Sequence, residues 1–282
     1  MSKISVDSPK PSQQQLDSLI KLYQDRQYVD AEKLSLSITE EFPKHPFAWK
    51  VLGAILKQKG RISESLIACQ KSVQLDPQDA KAHNNLAIIL LLQSRLEEAE
   101  TSLRQAIKLK PDLAEAHNNL GIIFQKHRKF TEACSAYIQA INFNPDFTDA
   151  YENLGMVIKK VRFNSSNVEL YPLLIRLLSI GNFVRPRDLA SSILSLLKHD
   201  PLIKNLLLEK NFATNLKEAN YIIGSLDKLK LLHHLMRICP LPDLQFERFF
   251  VTMRNLLLKN LDNIEASPEF IYFLSTLSLH CF

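Results

Sequence analysis

Apolar, small and polar positions recur along the first half of the chain with one fixed period. Prolines stand at Pro43, Pro77, Pro111 and Pro145, each 34 residues after the last. Ten residues beyond each comes a small residue (Gly53, Ala87, Gly121, Gly155), directly preceded by Leu52, Leu86, Leu120 or Leu154. A large ring lies three residues ahead of each leucine: Trp49, His83, His117, Tyr151. The other half of the unit keeps the same step, with Ala31, Ser65, Ala99 and Ala133 following the acids Asp30, Glu64, Glu98 and Glu132. Apolar Tyr28, Ile62, Leu96 and Phe130 precede those small residues by three. So many columns in register predict a chain of helical hairpins. Small residues let paired helices approach closely, and rings and leucines fill the space around the contact. The acids sit in the first turn of the second helix, where the helix dipole favours negative charge. Proline closes each unit because it cannot continue a helix interior. No unit can bury its apolar face alone, so the units must stack.

The spacing predicts units at 12–45, 46–79, 80–113 and 114–147, then the first helix of a further unit over 148–161, behind a disordered N-terminus of residues 1–11. The pattern W…LG…A…P at this period resembles the tetratricopeptide repeat (TPR) family. That resemblance implies an all-α, right-handed superhelical stack of helix-turn-helix units that binds proteins. The segments His83-Asn84-Asn85-Leu86-Ala87 and His117-Asn118-Asn119-Leu120-Gly121 are similar to repeats of the O-linked N-acetylglucosamine transferase family. The sequence departs from the pattern at Leu19, which replaces the small residue, and at Ser35 and Cys69, in a column that is usually bulky. A loosely packed first unit is expected from this.

After Lys160 the register fails, with Asn164 and Asn167 where an apolar residue and an alanine belong. Arg162–Ser166 reads as a break, and 162–282 as a non-repeat helical region of about six helices. Helix starts are marked by Pro172, Pro186, Pro201 and Pro268, and helical periodicity runs over Leu189–Leu197 and Leu226–Met236. Leu244–Leu261 is rich in Phe and Leu, and Phe270–Phe282 reads as an apolar helix without a polar cap. The chain is therefore expected to be the front of a longer protein. This region is similar to the helical connector of bacterial TPR proteins that carry an S-adenosylmethionine-dependent methyltransferase domain, although nothing in the chain resembles that catalytic fold.

Composition narrows the function classes. Only 6 glycines are scattered through 282 residues, which excludes a glycine-rich phosphate loop. A formal net charge of +5 is modest for a nucleic-acid binder, and the groove has no regular set of stacking aromatics for RNA. The longest strongly apolar run, Leu86–Leu92, is too short to span a bilayer, and the polar start MSKISVDSPKPSQQQ carries no apolar core of signal-peptide length. Cys69, Cys134, Cys239 and Cys281 form no CxxC pair and read as reduced thiols of a cytoplasmic protein. His83 and His117 share the ring column and read as packing residues, while adjacent His233 and His234 point apart on a helix. No catalytic or metal-ligand constellation stands out, so no cofactor, no metal and no enzymatic activity are expected of this chain.

Function is expected on the first helix of each hairpin, which lines the concave side of such a stack. Asn85, Asn119 and Asn153 share one register there, next to Asn84 and Asn118. An amide offers two donors and an acceptor and so can clamp an extended peptide backbone. In the family resembled, this column holds the bound peptide. The asparagines are expected to face solvent in the free protein. Lys50, Lys57, Gln125, Lys126 and Lys159 extend the same face, with Lys81 and Glu115 in another column; a lysine-biased groove favours acidic or C-terminal-carboxylate partners. The leading expectation is an interaction scaffold for a peptide or protein. The alternative is the substrate-recruiting module of a transferase, a methyltransferase before a glycosyltransferase.

Overall fold

The computed structural model describes residues 10–180, 185–208, 230–239, 241, 243–259 and 275. The expectations for residues 1–9, Cys281, the start at Pro268 and the helix Phe270–Phe282 (Ser275 apart) lie outside the described residues. The chain divides into two compact units, Met1–Ala150 and Tyr151–Phe282.

The first unit is a stack of helical hairpins: α1 (Gln13–Gln24), α2 (Tyr28–Glu41), α3 (Pro46–Gln58), α4 (Ile62–Leu75), α5 (Ala80–Leu92), α6 (Leu96–Leu109), α7 (Ala114–Lys126) and α8 (Phe130–Phe143). Helix α9 (Thr148–Ile158) opens the next register and spans the division between the units. Odd-numbered helices carry the Leu-small column and even-numbered ones the acid-small column. Ala31, Ser65, Ala99 and Ala133 are fully buried, as the hairpin contact requires. Ser65 replaces alanine at no cost because its Oγ donates to the Gly53 carbonyl across the hairpin at 2.7 Å.

Two features of the repeat have no signature in the sequence. The ring column does more than pack. Trp49 Nε1 donates to the Pro43 carbonyl at 2.9 Å, and the Nε2 of His83 and His117 meet the carbonyls of Pro77 and Pro111 at 3.0 and 2.8 Å. A carbonyl only accepts, so both histidines carry a proton on Nε2. The second feature is the turn after each odd helix. Arg26, Gly60, Ser94 and Arg128 all adopt positive φ, between 59° and 74°. The N–H groups of Gln27, Arg61, Arg95 and Lys129 reach back to Leu22, Leu56, Leu90 and Phe124, closing a Schellman motif in each unit. Only one of the four is glycine, so three positions carry left-handed strain. Replacing Arg128 by Gly is expected to stabilise the fold by about 0.5–1 kcal/mol, and Gly60 by Ala to destabilise it by at least about 1 kcal/mol. Urea unfolding followed by circular dichroism checks both signs.

The first unit is not loosely packed. Gly53 faces Cys69 and Gly121 faces Tyr137 across their hairpins. The same offset sets Leu19 opposite Ser35 and Ala87 opposite Leu103. Leu19 and Ser35 are both at 0% exposure, so the large and small partners have changed sides and the volume is conserved.

In the second unit the segment 161–167 is non-helical and leads into a 3₁₀ turn, Val168–Leu170. It is tied down by Ser192 and Ser195, which accept hydrogen bonds from Arg162 and from the Phe163 amide at 3.0 Å each. The described helices are α10 (Tyr171–Ile180), α11 (Pro186–Leu197), α12 (Pro201–Leu208), α13 (Lys230–Ile238) and α14 (Leu244–Lys259). Pro186 and Pro201 open their helices, as the sequence predicts. Helix α13 packs on α10 and α11, and α12 on α14, and Leu174, Leu177, Ile193, Leu197, Leu235 and Phe249 are buried.

Candidate functional site: the face of the odd-numbered helices

Helices α1, α3, α5 and α7 lie side by side and present one common face. A pocket of about 340 Å³ opens in it, lined by Tyr23, Lys50, Lys57, Lys81, Asn84, Asn85 and Glu115, with Gly53 and Cys69 among its walls. The structure thus brings together Lys50, Lys57, Asn84 and Asn85, all expected from the sequence. Gln125 and Lys126 close the last turn of α7, Lys126 being exposed. Asn153 and Lys159 belong to the second unit, half-buried on α9 and exposed just past its end.

The asparagines divide between two columns. Asn84 and Asn118 are 7% and 5% exposed, because their position turns toward the neighbouring hairpin. Asn119 Nδ2 donates to Asn84 Oδ1 at 2.9 Å, joining successive repeats through their odd helices. Asn85 and Asn119 are half-buried. After its bond to Asn84, the Asn119 amide still has one N–H and its oxygen to offer.

The lysines also divide. Lys50 Nζ donates to Asp79 Oδ2 at 2.5 Å and lies 5.2 Å from the centroid of the Phe47 ring. Asp79 is itself the N-cap of α5, accepting from the amides of Lys81 and Ala82. Burial alone would raise the Asp79 carboxyl. The Lys50 hydrogen bond and charge, with the two amides, outweigh burial and hold it below the usual carboxylate range. The Lys50 charge is therefore taken up by the fold. Lys57 and Lys81 have no ion pair within 4 Å among the described residues, and both stand at the pocket. Gln125 is engaged too, its Oε1 accepting from the Tyr137 hydroxyl at 2.9 Å. Cys69 escapes a reading for site residues, although its small size in a bulky column is a usable signal. Burial pushes its thiol up to about 11, so it stays protonated at neutral pH.

Sequence comparison identifies the repeats. Profiles described as tetratricopeptide or TPR repeats match residues 48–79, 68–101, 89–127 and 114–147. Residues 48–147 are tetratricopeptide repeats. Such repeats support a protein-interaction scaffold. No curated protein sequence matches the chain. Among solved structures, the chain is similar to Pseudomonas aeruginosa pilF, with TM-score 0.52 and 16% identity over 84% of this chain and 96% of that one. YrrB, described as a TPR protein with an unusual peptide-binding site, gives TM-score 0.47 and 16% identity over 60% of this chain and 86% of that one. The first TPR of Spaghetti (RPAP3), bound to the HSP90 peptide SRMEEVD, gives TM-score 0.40 and 19% identity over 41% of this chain and 91% of that one. Among the described residues no helix is long and apolar enough to cross a membrane, and no three His, Cys, Asp or Glu side chains are grouped to hold a metal ion.

Proposed function

We propose that this TPR region binds an extended, acidic segment of a partner protein along the face of α1, α3, α5 and α7. The observation that carries this reading is the pocket on that face. It combines the amides of Asn84 and Asn85 with two cations, Lys57 and Lys81, that have no ion pair within 4 Å among the described residues, although Glu115 lines the same pocket. Asn85 and Asn119 grip the peptide backbone, and Lys57 and Lys81 steer and hold its carboxylates. Lys50 acts differently, since its ammonium already belongs to Asp79.

An array of acidic peptides and their Gln/Asn-substituted twins tests this directly. Acidic members should bind more tightly, with an affinity that falls as salt is raised. Lys81→Glu should weaken binding by about tenfold, mainly through the association rate, and flatten the salt dependence. Acidic and neutral twins that bind alike, or a Lys81→Glu protein that keeps its acidic ligands, would remove the charge argument.

A further inference from the structure

The repeat compares the pocket with a site that the protein fills from within. Gly53, Lys57 and Cys69 stand in the columns of Gly121, Gln125 and Tyr137, two repeats on. In the later repeat the Tyr137 ring lies flat against Gly121. A Cβ added there would sit 2.5 Å from Cε1 and 2.7 Å from Cδ1 of the ring. The Tyr137 hydroxyl then reaches forward to Gln125 Oε1 at 2.9 Å, and the side chain is fully buried. In the earlier repeat the Cys69 sulfur takes only the first part of that path, 2.6 Å from a Cβ on Gly53. The rest of the path, up to Lys57, stays open, and the pocket lies there. The middle repeat shows that smallness on one side is ordinarily matched on the other, since Ala87 faces Leu103. Gly53 opposite Cys69 is the pair in which both partners are small.

We propose that the pocket between Gly53, Cys69 and Lys57 receives a tyrosine side chain of the bound segment, its ring on the Cys69 sulfur and its hydroxyl oxygen accepting from Lys57 Nζ. The site rests on the peptide-binding reading above and adds the identity of one anchoring side chain. The walls suit a ring. Tyr23 presents an aromatic face, Ile88 and Ile89 present aliphatic ones, and a thiol makes favourable contacts with aromatic edges. Lys57 and Cys69 line the same pocket, so a group seated on that sulfur shares the cavity with the ammonium. A hydroxyl suits the far end of the pocket because an ammonium has donors only and needs an acceptor.

The probe is p-cresol, the tyrosine side chain as a free molecule, with toluene as its hydroxyl-free twin. Titrated into the whole chain and followed by amide NMR, p-cresol should shift Gly53, Lys57 and Cys69 saturably and bind more tightly than toluene. Lys57→Met should erase that preference. Cys69→Tyr fills the pocket as Tyr137 fills its own, so it should fold and lose p-cresol binding. Cys69→Leu, copying Leu103, gives a second version of the same block. In an extended acidic peptide, tyrosine should improve affinity over alanine by about tenfold or more. Amides around Gly53 that ignore p-cresol overturn the proposal, as does p-cresol binding that survives in a folded Cys69→Tyr or Cys69→Leu protein. Equal affinity for toluene overturns the role of Lys57. The Asn85→Ala, Asn119→Ala protein should still bind p-cresol, so failure of the peptide groove and failure of the pocket are read separately.

Discussion

Gly121→Ala is expected to destabilise the repeat stack by about 1–3 kcal/mol, a large effect for a single methyl group. The helix tolerates alanine better than glycine, by about 0.5–1 kcal/mol, so local propensity predicts the opposite sign. Packing wins because the new Cβ would meet three carbons of the Tyr137 ring at 2.5–2.9 Å. That ring is at 0% exposure and its hydroxyl is bonded to Gln125, so it cannot swing away without losing a buried contact and a hydrogen bond. Gly53→Ala makes the control. There the obstacle is the Cys69 sulfur at 2.6 Å, beside an open pocket into which a short side chain can turn. Its cost should be clearly smaller. The compensating change is written in the chain itself: Ala87 faces Leu103, so Gly121→Ala with Tyr137→Leu should recover stability relative to Gly121→Ala alone. Urea denaturation of the four proteins gives the coupling energy. Independent, additive costs for the two changes would refute the proposed contact.

The same columns explain how much was legible in the sequence. A period of 34 residues located α1 to α9, since the constraint repeats and each column is a packing requirement. Burial of Ala31, Ser65, Ala99 and Ala133 followed from their smallness alone. What stayed hidden depends on pairs of residues and not on columns. Leu19 looked like a defect until Ser35 was seen opposite it, and both are fully buried. The positive-φ turns were invisible because Arg26, Ser94 and Arg128 carry no glycine signal. The candidate site was half legible. The asparagine register pointed to the face that carries the pocket, but one residue of helical rotation decides whether an amide faces the groove or the next hairpin. Asn84 turns inward and bonds to Asn119, which no spacing argument separates from Asn85. The Lys50 charge likewise looks free until its distant partner, Asp79, is placed beside it.

Peptide affinity should fall by about tenfold to a hundredfold in a protein carrying Asn85→Ala with Asn119→Ala, at about 0.5–1.5 kcal/mol for each neutral hydrogen bond lost. The two substitutions should differ in what else they disturb. Among the described residues the Asn85 amide has no side-chain hydrogen bond, so its loss should act on binding with little change in stability. Asn119 donates to Asn84 Oδ1, so its removal leaves a carbonyl on a residue only 7% exposed short of a donor and should also cost the fold about 1 kcal/mol. Asn84→Ala breaks the same bond from its other end. Asn84 lines the pocket with only 7% of its surface exposed, and its loss also frees the Asn119 amide to rotate, so part of the peptide affinity should be lost. Calorimetric titration of the parent and the three variants against one acidic, tyrosine-bearing peptide measures all of these effects. Should the double variant bind as tightly as the parent, the amides do not hold the peptide. An Asn84→Ala protein with unchanged affinity would show that the hydrogen bond between the repeats serves the fold alone.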